Sequence, residues 1–152
     1  MLIYTIKWNK TAAVLIVLAV AAILVLLTLA LGNGSGSGRE ARVGSSEDVT
    51  DFLGALGWTV DEASAEERDV VIPQEFSEIY KEYNSLQKAQ GYDLSNYRGR
   101  QVTIYTYGIT NYSGYSGKVV ADVYVFDGRV IGGDVHSLEL DGFMHGLRKS
   151  PK

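Results

Sequence analysis

Residues 118–136 read KVVADVYVFDGRVIGGDVH, and this stretch decides the fold. β-Branched and aromatic residues crowd both sides of Asp127 and Gly128, as they do in strands. A type I′ turn needs positive φ at both central positions, and Asp-Gly adopts that conformation readily. Residues 118–126 and 129–135 are therefore expected to form an antiparallel hairpin. Counted from the turn, Phe126 faces Arg129, Val125 faces Val130, Tyr124 faces Ile131, Val120 faces Val135 and Val119 faces His136. Gly132 and Gly133 leave bare backbone on both faces. Such glycines commonly mark a bulge or a closely packed helix, and less often a backbone open to a ligand.

Working outward, residues 101–110 form a further strand, joined to the hairpin by the polar loop 111–117 (NYSGYSG). Before it, residues 74–90 carry Phe76, Ile79, Tyr80, Tyr83 and Leu86 at helical spacing, with Pro73 ahead and Gly91 as the stop. A shorter helix starts at Ser45 or Ser46, where Val49, Phe52, Leu53 and Leu56 make one apolar stripe and Gly57 ends it. Residues 58–60 suggest a short strand, residues 61–69 (DEASAEERD) a charged connector, and residues 70–72 a short apolar run. Helices followed by strands predict an α+β domain over residues 47–152. Its antiparallel sheet of three to four strands packs on one long and one short helix.

The amino-terminal third reads differently. Residues 12–31 hold no charge and are almost wholly Leu, Val, Ile and Ala. As a helix they would span about 30 Å, the thickness of a bilayer's hydrocarbon core. A transmembrane helix over residues 11–31 is expected, with residues 1–10 as a cytoplasmic stub. Lys7 and Lys10 precede the run closely, while the first later cations are Arg39 and Arg42. The positive-inside rule then sets the amino terminus in the cytoplasm and the carboxyl-terminal domain outside, on a single-pass anchor. A cleaved signal peptide is the rival reading, but its apolar core would usually be shorter. Residues 32–46, rich in Gly and Ser, read as a flexible linker with a mean reach of about 20 Å.

Composition removes several chemistries. The chain has 152 residues, enough for one modest domain and an appendage, and no cysteine, which excludes disulfides and thiolate metal sites. The formal net charge is −4, and residues 47–82 hold eleven acids against Arg68 and Lys81, which disfavours nucleic acid as a partner. Phosphate-loop, calcium-loop and serine-nucleophile patterns are missing, and no cofactor is expected.

Two groups of residues remain as candidate sites. Tyr105, Tyr107, Tyr112 and Tyr115 gather on the strands and their loop, where amphipathic rings suit a binding surface. Within DVHSLELDGFMH (residues 134–145), Asp134, His136, Asp141 and His145, with Glu139, are chemically able to hold a divalent metal or move protons. Their spacing matches no metal signature.

Five segments carry a resemblance: Leu56-Gly-Trp58; Ile72-Pro-Gln-Glu-Phe76; Tyr83-Asn84 with Leu86-Gln87 and Gln90-Gly91; Phe126 to Asp134; and Asp141 to Leu147. Through them the chain resembles a family of small single-pass membrane-anchored bacterial proteins, found mainly in Firmicutes, whose domain is one of unknown function. The resemblance implies an envelope protein with one amino-terminal anchor, and it brings no catalytic residues with it. The leading expectation is a non-catalytic binding or regulatory domain, held outside the membrane and contacting an envelope protein or peptide. The alternatives are a metal-dependent or acid–base enzyme built on the His136/His145 cluster, and a structural subunit of a membrane assembly.

Overall fold

The computed structural model describes residues 41–149, and the expected cytoplasmic stub, transmembrane helix and most of the linker lie outside them. Among the described residues no helix is long and apolar enough to cross a membrane. The domain is α+β. Helix α1 (Ser46–Ala55) leads into strand β1 (Val60–Val71), then helix α2 (Glu78–Ala89) and a 3₁₀ turn (Leu94–Tyr97). Strands β2 (Gln101–Ile109), β3 (Val119–Phe126), β4 (Arg129–Ser137) and β5 (Met144–His145) follow. All five strands form one antiparallel meander in the order β1-β2-β3-β4-β5.

Both helices begin and end as their sequences dictate. The Ser45 side chain accepts from the Asp48 amide at α1, and Ser77 does the same for Tyr80 at α2, satisfying donors that a helix start leaves free. At the far ends Gly57 and Gly91 take φ of 89° and 91°. Trp58 N–H then reaches back to Leu53 O and Tyr92 N–H to Gln87 O, the hydrogen bonds of a glycine-terminated helix.

The helices cover opposite faces of the sheet. Val49 and Leu53 of α1 pack with Trp58, Tyr107, Val119, Ala121, Val123, Val130 and Val135. On the other face Phe76, Tyr80 and Tyr83 surround Ile72, Leu94, Val102 and Ile131. The apolar stripe expected of α2 is turned from its predicted aspect. Ile79 is 82% exposed, while Asn84 and Gln87 are buried. Asn84 Oδ1 accepts from Leu94 N–H and its Nδ2 donates to Asp93, so the buried amide is satisfied by the turn that follows the helix.

Four expectations are corrected. Residues 61–69 are not a connector but the middle of β1, a strand of twelve residues. It lies at the edge of the sheet, where ladder bonds to β2 rather than burial hold it, so no alternation of apolar residues announces it. The sheet has five strands, the last only two residues long. The long helix starts at Glu78 rather than at Gln74. Ordered chain begins before Ser46: Val43 is 3% exposed, its N–H donates to Gly128 O, and Val130 N–H donates to Ala41 O.

The hairpin forms as expected, with Asp127 and Gly128 at φ of 50° and 67°. Its register holds for Phe126–Arg129 and Val125–Val130, then shifts: Tyr124 faces Gly132, Asp122 faces Asp134 and Val120 faces His136. Ile131 is the extra residue of a β-bulge. Helix α2 grips the bulged strand through two glutamines. Gly133 N–H donates to Gln87 Oε1 at 2.9 Å, and Gln90 Nε2 donates to Gly133 O at 2.9 Å.

Candidate functional site

The bulge decides which side chains meet. In the unshifted register Asp122 would face Gly133, placing it on the opposite face from Asp134. One added residue turns both carboxylates to the α2 face, directly opposite each other. The cross-strand partners then run in rows. Glu66, Thr106, Asp122 and Asp134 form one, and Asp61, Gly108, Val120, His136 and Met144 form the next.

The two aspartates of the first row are nearly dry. The Asp122 and Asp134 side chains are 8% and 3% exposed, and each is held by two partners. Arg68 Nη2 donates to Asp122 Oδ2 at 3.0 Å, and the Thr106 hydroxyl donates to Oδ1. The Tyr83 hydroxyl of α2 donates to Asp134 Oδ2 at 2.6 Å, and His136 Nδ1 donates to Oδ1 at 2.7 Å. Two acids are thus matched by one guanidinium and one imidazole. The set is neutral when His136 is protonated.

The titration of these groups follows from that arrangement. The hydrogen bond to Asp134 raises the His136 pKa, against burial, and the charges of Asp134 and Asp122 add to it. Burial pushes the Asp122 carboxyl up, partly countered by Thr106 and Arg68. Burial, with the neighbouring Asp134 charge, holds the Tyr83 phenol far above its ordinary range, so it stays a donor.

Beside this network lies a cleft of about 530 Å³ lined by Asp61, Glu66 and Arg68 from β1, Thr106 and Gly108 from β2, and Lys118, Val120, His136 and Leu138 from the β3–β4 side. His136 spends Nδ1 on Asp134, and its Nε2 has no hydrogen-bond partner among the described residues. The hydroxyls on the floor are engaged. Ser64 Oγ donates to Asp61 O and accepts from Gly108 N–H, and Thr106 donates to Asp122.

Asp122, Asp134 and His136 place possible metal-ligand atoms within 4.8 Å of one another. Each carboxylate oxygen already accepts one hydrogen bond, so a cation bound here would share these oxygens with Arg68, Thr106, Tyr83 and the imidazole N–H or displace them.

Of the expected cluster the structure joins only Asp134 and His136. His145 pairs with Val135, so it lies on the opposite face of the sheet. There its Nδ1 donates to Gly146 O and its Nε2 accepts from the Tyr112 hydroxyl. Asp141 sits in the exposed turn before β5. The expected tyrosine surface also divides. Tyr107 is 1% exposed and its hydroxyl donates to Ser46 O, which makes it core. Tyr105 is half-buried beside the same core. Tyr112 stacks between Trp58 and Phe143, with ring centroids 5.7 and 4.7 Å away. Tyr115 meets Phe143 edge-on, and its hydroxyl donates to Glu139 at 2.7 Å. The 112–115 loop is therefore fastened to the β4–β5 turn. Sequence reasoning missed Arg68, Thr106, Asp122 and Tyr83; of these only Asp122, an acid inside an apolar strand, carried a visible signal.

A family model described as a domain of unknown function, DUF4830, matches residues 52–135. The chain belongs to the DUF4830 family. The DUF4830 match runs from Phe52 in α1 to Val135 in β4, taking in Arg68, Tyr83, Thr106, Asp122 and Asp134 and stopping one residue short of His136. No curated protein and no solved structure matches the chain.

Proposed function

We propose that this DUF4830 protein is a membrane-tethered binding domain, displayed outside the cell, that seats its ligand in the cleft above His136. The supporting observation is the half-buried imidazole. Its inner nitrogen is fixed by a buried carboxylate, and its outer nitrogen, without a hydrogen-bond partner among the described residues, belongs to a ring that lines a cleft of ligand size. Burying two acids against an imidazole and the end of a half-exposed arginine adds little stability over a packed apolar interior, whereas it sets the orientation and charge of His136. The uncharged run of residues 12–31 and the Gly/Ser stretch after it support the single-pass anchor, the exported domain and the bacterial envelope setting. The chain enters the described domain beside the Asp127–Gly128 turn, at the other end of β3 and β4 from Lys118 and His136.

A photo-crosslinking residue at Leu138, which is 58% exposed on the rim, tests this reading in intact cells. It should yield an adduct of discrete mass that disappears in the His136→Ala variant. A control at the exposed Asp51, on α1, should not yield it. The same adducts from both positions, or none from Leu138, would overturn the reading.

Acid–base chemistry is the second reading, favoured by the Asp134–His136 hydrogen bond, which orients an imidazole as a general base requires. With the Ser64 and Thr106 hydroxyls engaged, such a base would have to act on water or on the ligand itself.

A further inference from the structure

We infer that the cleft recognises a short peptide with both termini free, its ammonium end toward β1 and its carboxylate end toward β3 and β4. This inference rests on the binding-domain reading and names the ligand class for the same cleft. Its basis is the separation of charge between the two walls. Asp61 and Glu66 stand on the β1 side, and Arg68, the cation of that wall, is paired with Asp122. Lys118 stands on the opposite side, beside His136, whose ring is paired with Asp134 as Arg68 is with Asp122.

The opposed charges do not neutralise each other across the gap. Among the described residues Glu66 and Lys118 form no ion pair, and the outer nitrogen of His136 has no partner. Between the walls the second row places Gly108, with the Ser64 hydroxyl set against it, and Val120, and Leu138 lies at the rim, so the middle is low and carries no charged side chain of its own.

The dimensions select the ligand. Asp61 and His136 share a row but are three strand spacings apart, about 14 Å between backbones. Less a hydrogen-bond length of about 3 Å at each end, that spacing suits the length of a di- or tripeptide. A single amino acid, with its charges about 3–4 Å apart, would reach only one wall. Donors on one side and acceptors on the other also reject a ligand with two like ends, because one end would leave a charged wall unpaired.

The experiment uses the full chain in lipid nanodiscs, with ¹⁵N-labelled histidine. His136→Gln assigns the two ring signals, and titration calorimetry gives affinities for trialanine, N-acetyl-trialanine and trialanine amide. Trialanine should move the His136 signals and leave those of His145 in place. Acetylation and amidation should each weaken binding at least tenfold. Glu66→Gln should erase the penalty of acetylation alone, and Lys118→Ala the penalty of amidation alone. Both residues are exposed, so neither change threatens folding.

Capped peptides that bind as tightly as trialanine while still moving His136 would overturn the inference and leave the cleft as a binding site. Failure of every peptide to move His136 would also overturn it, and the Leu138 crosslink would then decide alone whether the cleft binds another class of ligand.

Discussion

His136 faces Asp134 and Asp122 from the sheet, Arg68 from β1, and lies beside the Tyr83 hydroxyl that α2 directs at Asp134. Its pKa is raised in the folded state, so the stability it contributes is complete below the unfolded value of about 6.5. That contribution is lost as pH rises through the higher folded value. Chemical denaturation of the full chain should therefore show stability falling with pH above neutrality, and His136→Gln should flatten that slope. An unchanged slope in the variant would assign it to another group. Tyr83 makes a sharper test, because its hydroxyl bonds to a carboxylate only 3% exposed. Tyr83→Phe keeps the ring but leaves Asp134 Oδ2 without that donor, and should cost about 1.5–3 kcal/mol by denaturant titration.

At the scale of elements, the bulged strand β4 and its clasp to α2 carry the design. A methyl group at Gly133 would overlap Asp122 O and lie 2.7 Å from a Leu147 methyl. Gly133→Ala should therefore destabilise the domain by about 1–3 kcal/mol, and should also disturb the His136 signals, since the neighbouring carboxylates move with the strand. Gly54 is the counter-case. It sits in α1 with nothing within 4 Å of an added Cβ, so Gly54→Ala should stabilise by about 0.5–1 kcal/mol, read as a higher denaturation midpoint.

The same elements show what can be read from sequence. Gly57, Gly91, Ser45 and the Asp-Gly turn act through local backbone chemistry, and each did as its neighbours predict. The long helix and three of the strands were legible from apolar periodicity. What stayed hidden depends on distant partners. The bulge at Ile131 is met by Gln87 of α2 and Gln90 at its end, which bond Gly133, and the face of Asp122 follows from that one extra residue. Strand β1 was hidden for another reason: the middle of an uncovered edge need not be apolar. His145 looked like a partner for His136 because nine residues of chain give no hint that the sheet lies between them.

At the scale of the molecule, the proposed exported orientation has a direct test, helped by the absence of cysteine. Ser113→Cys would place a single thiol at an exposed position of the 112–115 loop. A membrane-impermeant maleimide should label it in intact cells as fully as after lysis, and labelling only after lysis would reverse the topology.

Strand β1 has one more consequence. Along one rim of the sheet it aligns Asp61, Glu62, Glu66, Glu67 and Asp69, with its ladder to β2 interrupted between Asp61 and Glu66. A second copy approaching that rim meets repulsion and a broken template, so the molecule resists growing into intermolecular ladders. Mild acid that brings the chain toward its isoelectric point near 5.1 weakens that guard while net repulsion is least, which makes it the condition that most favours self-assembly.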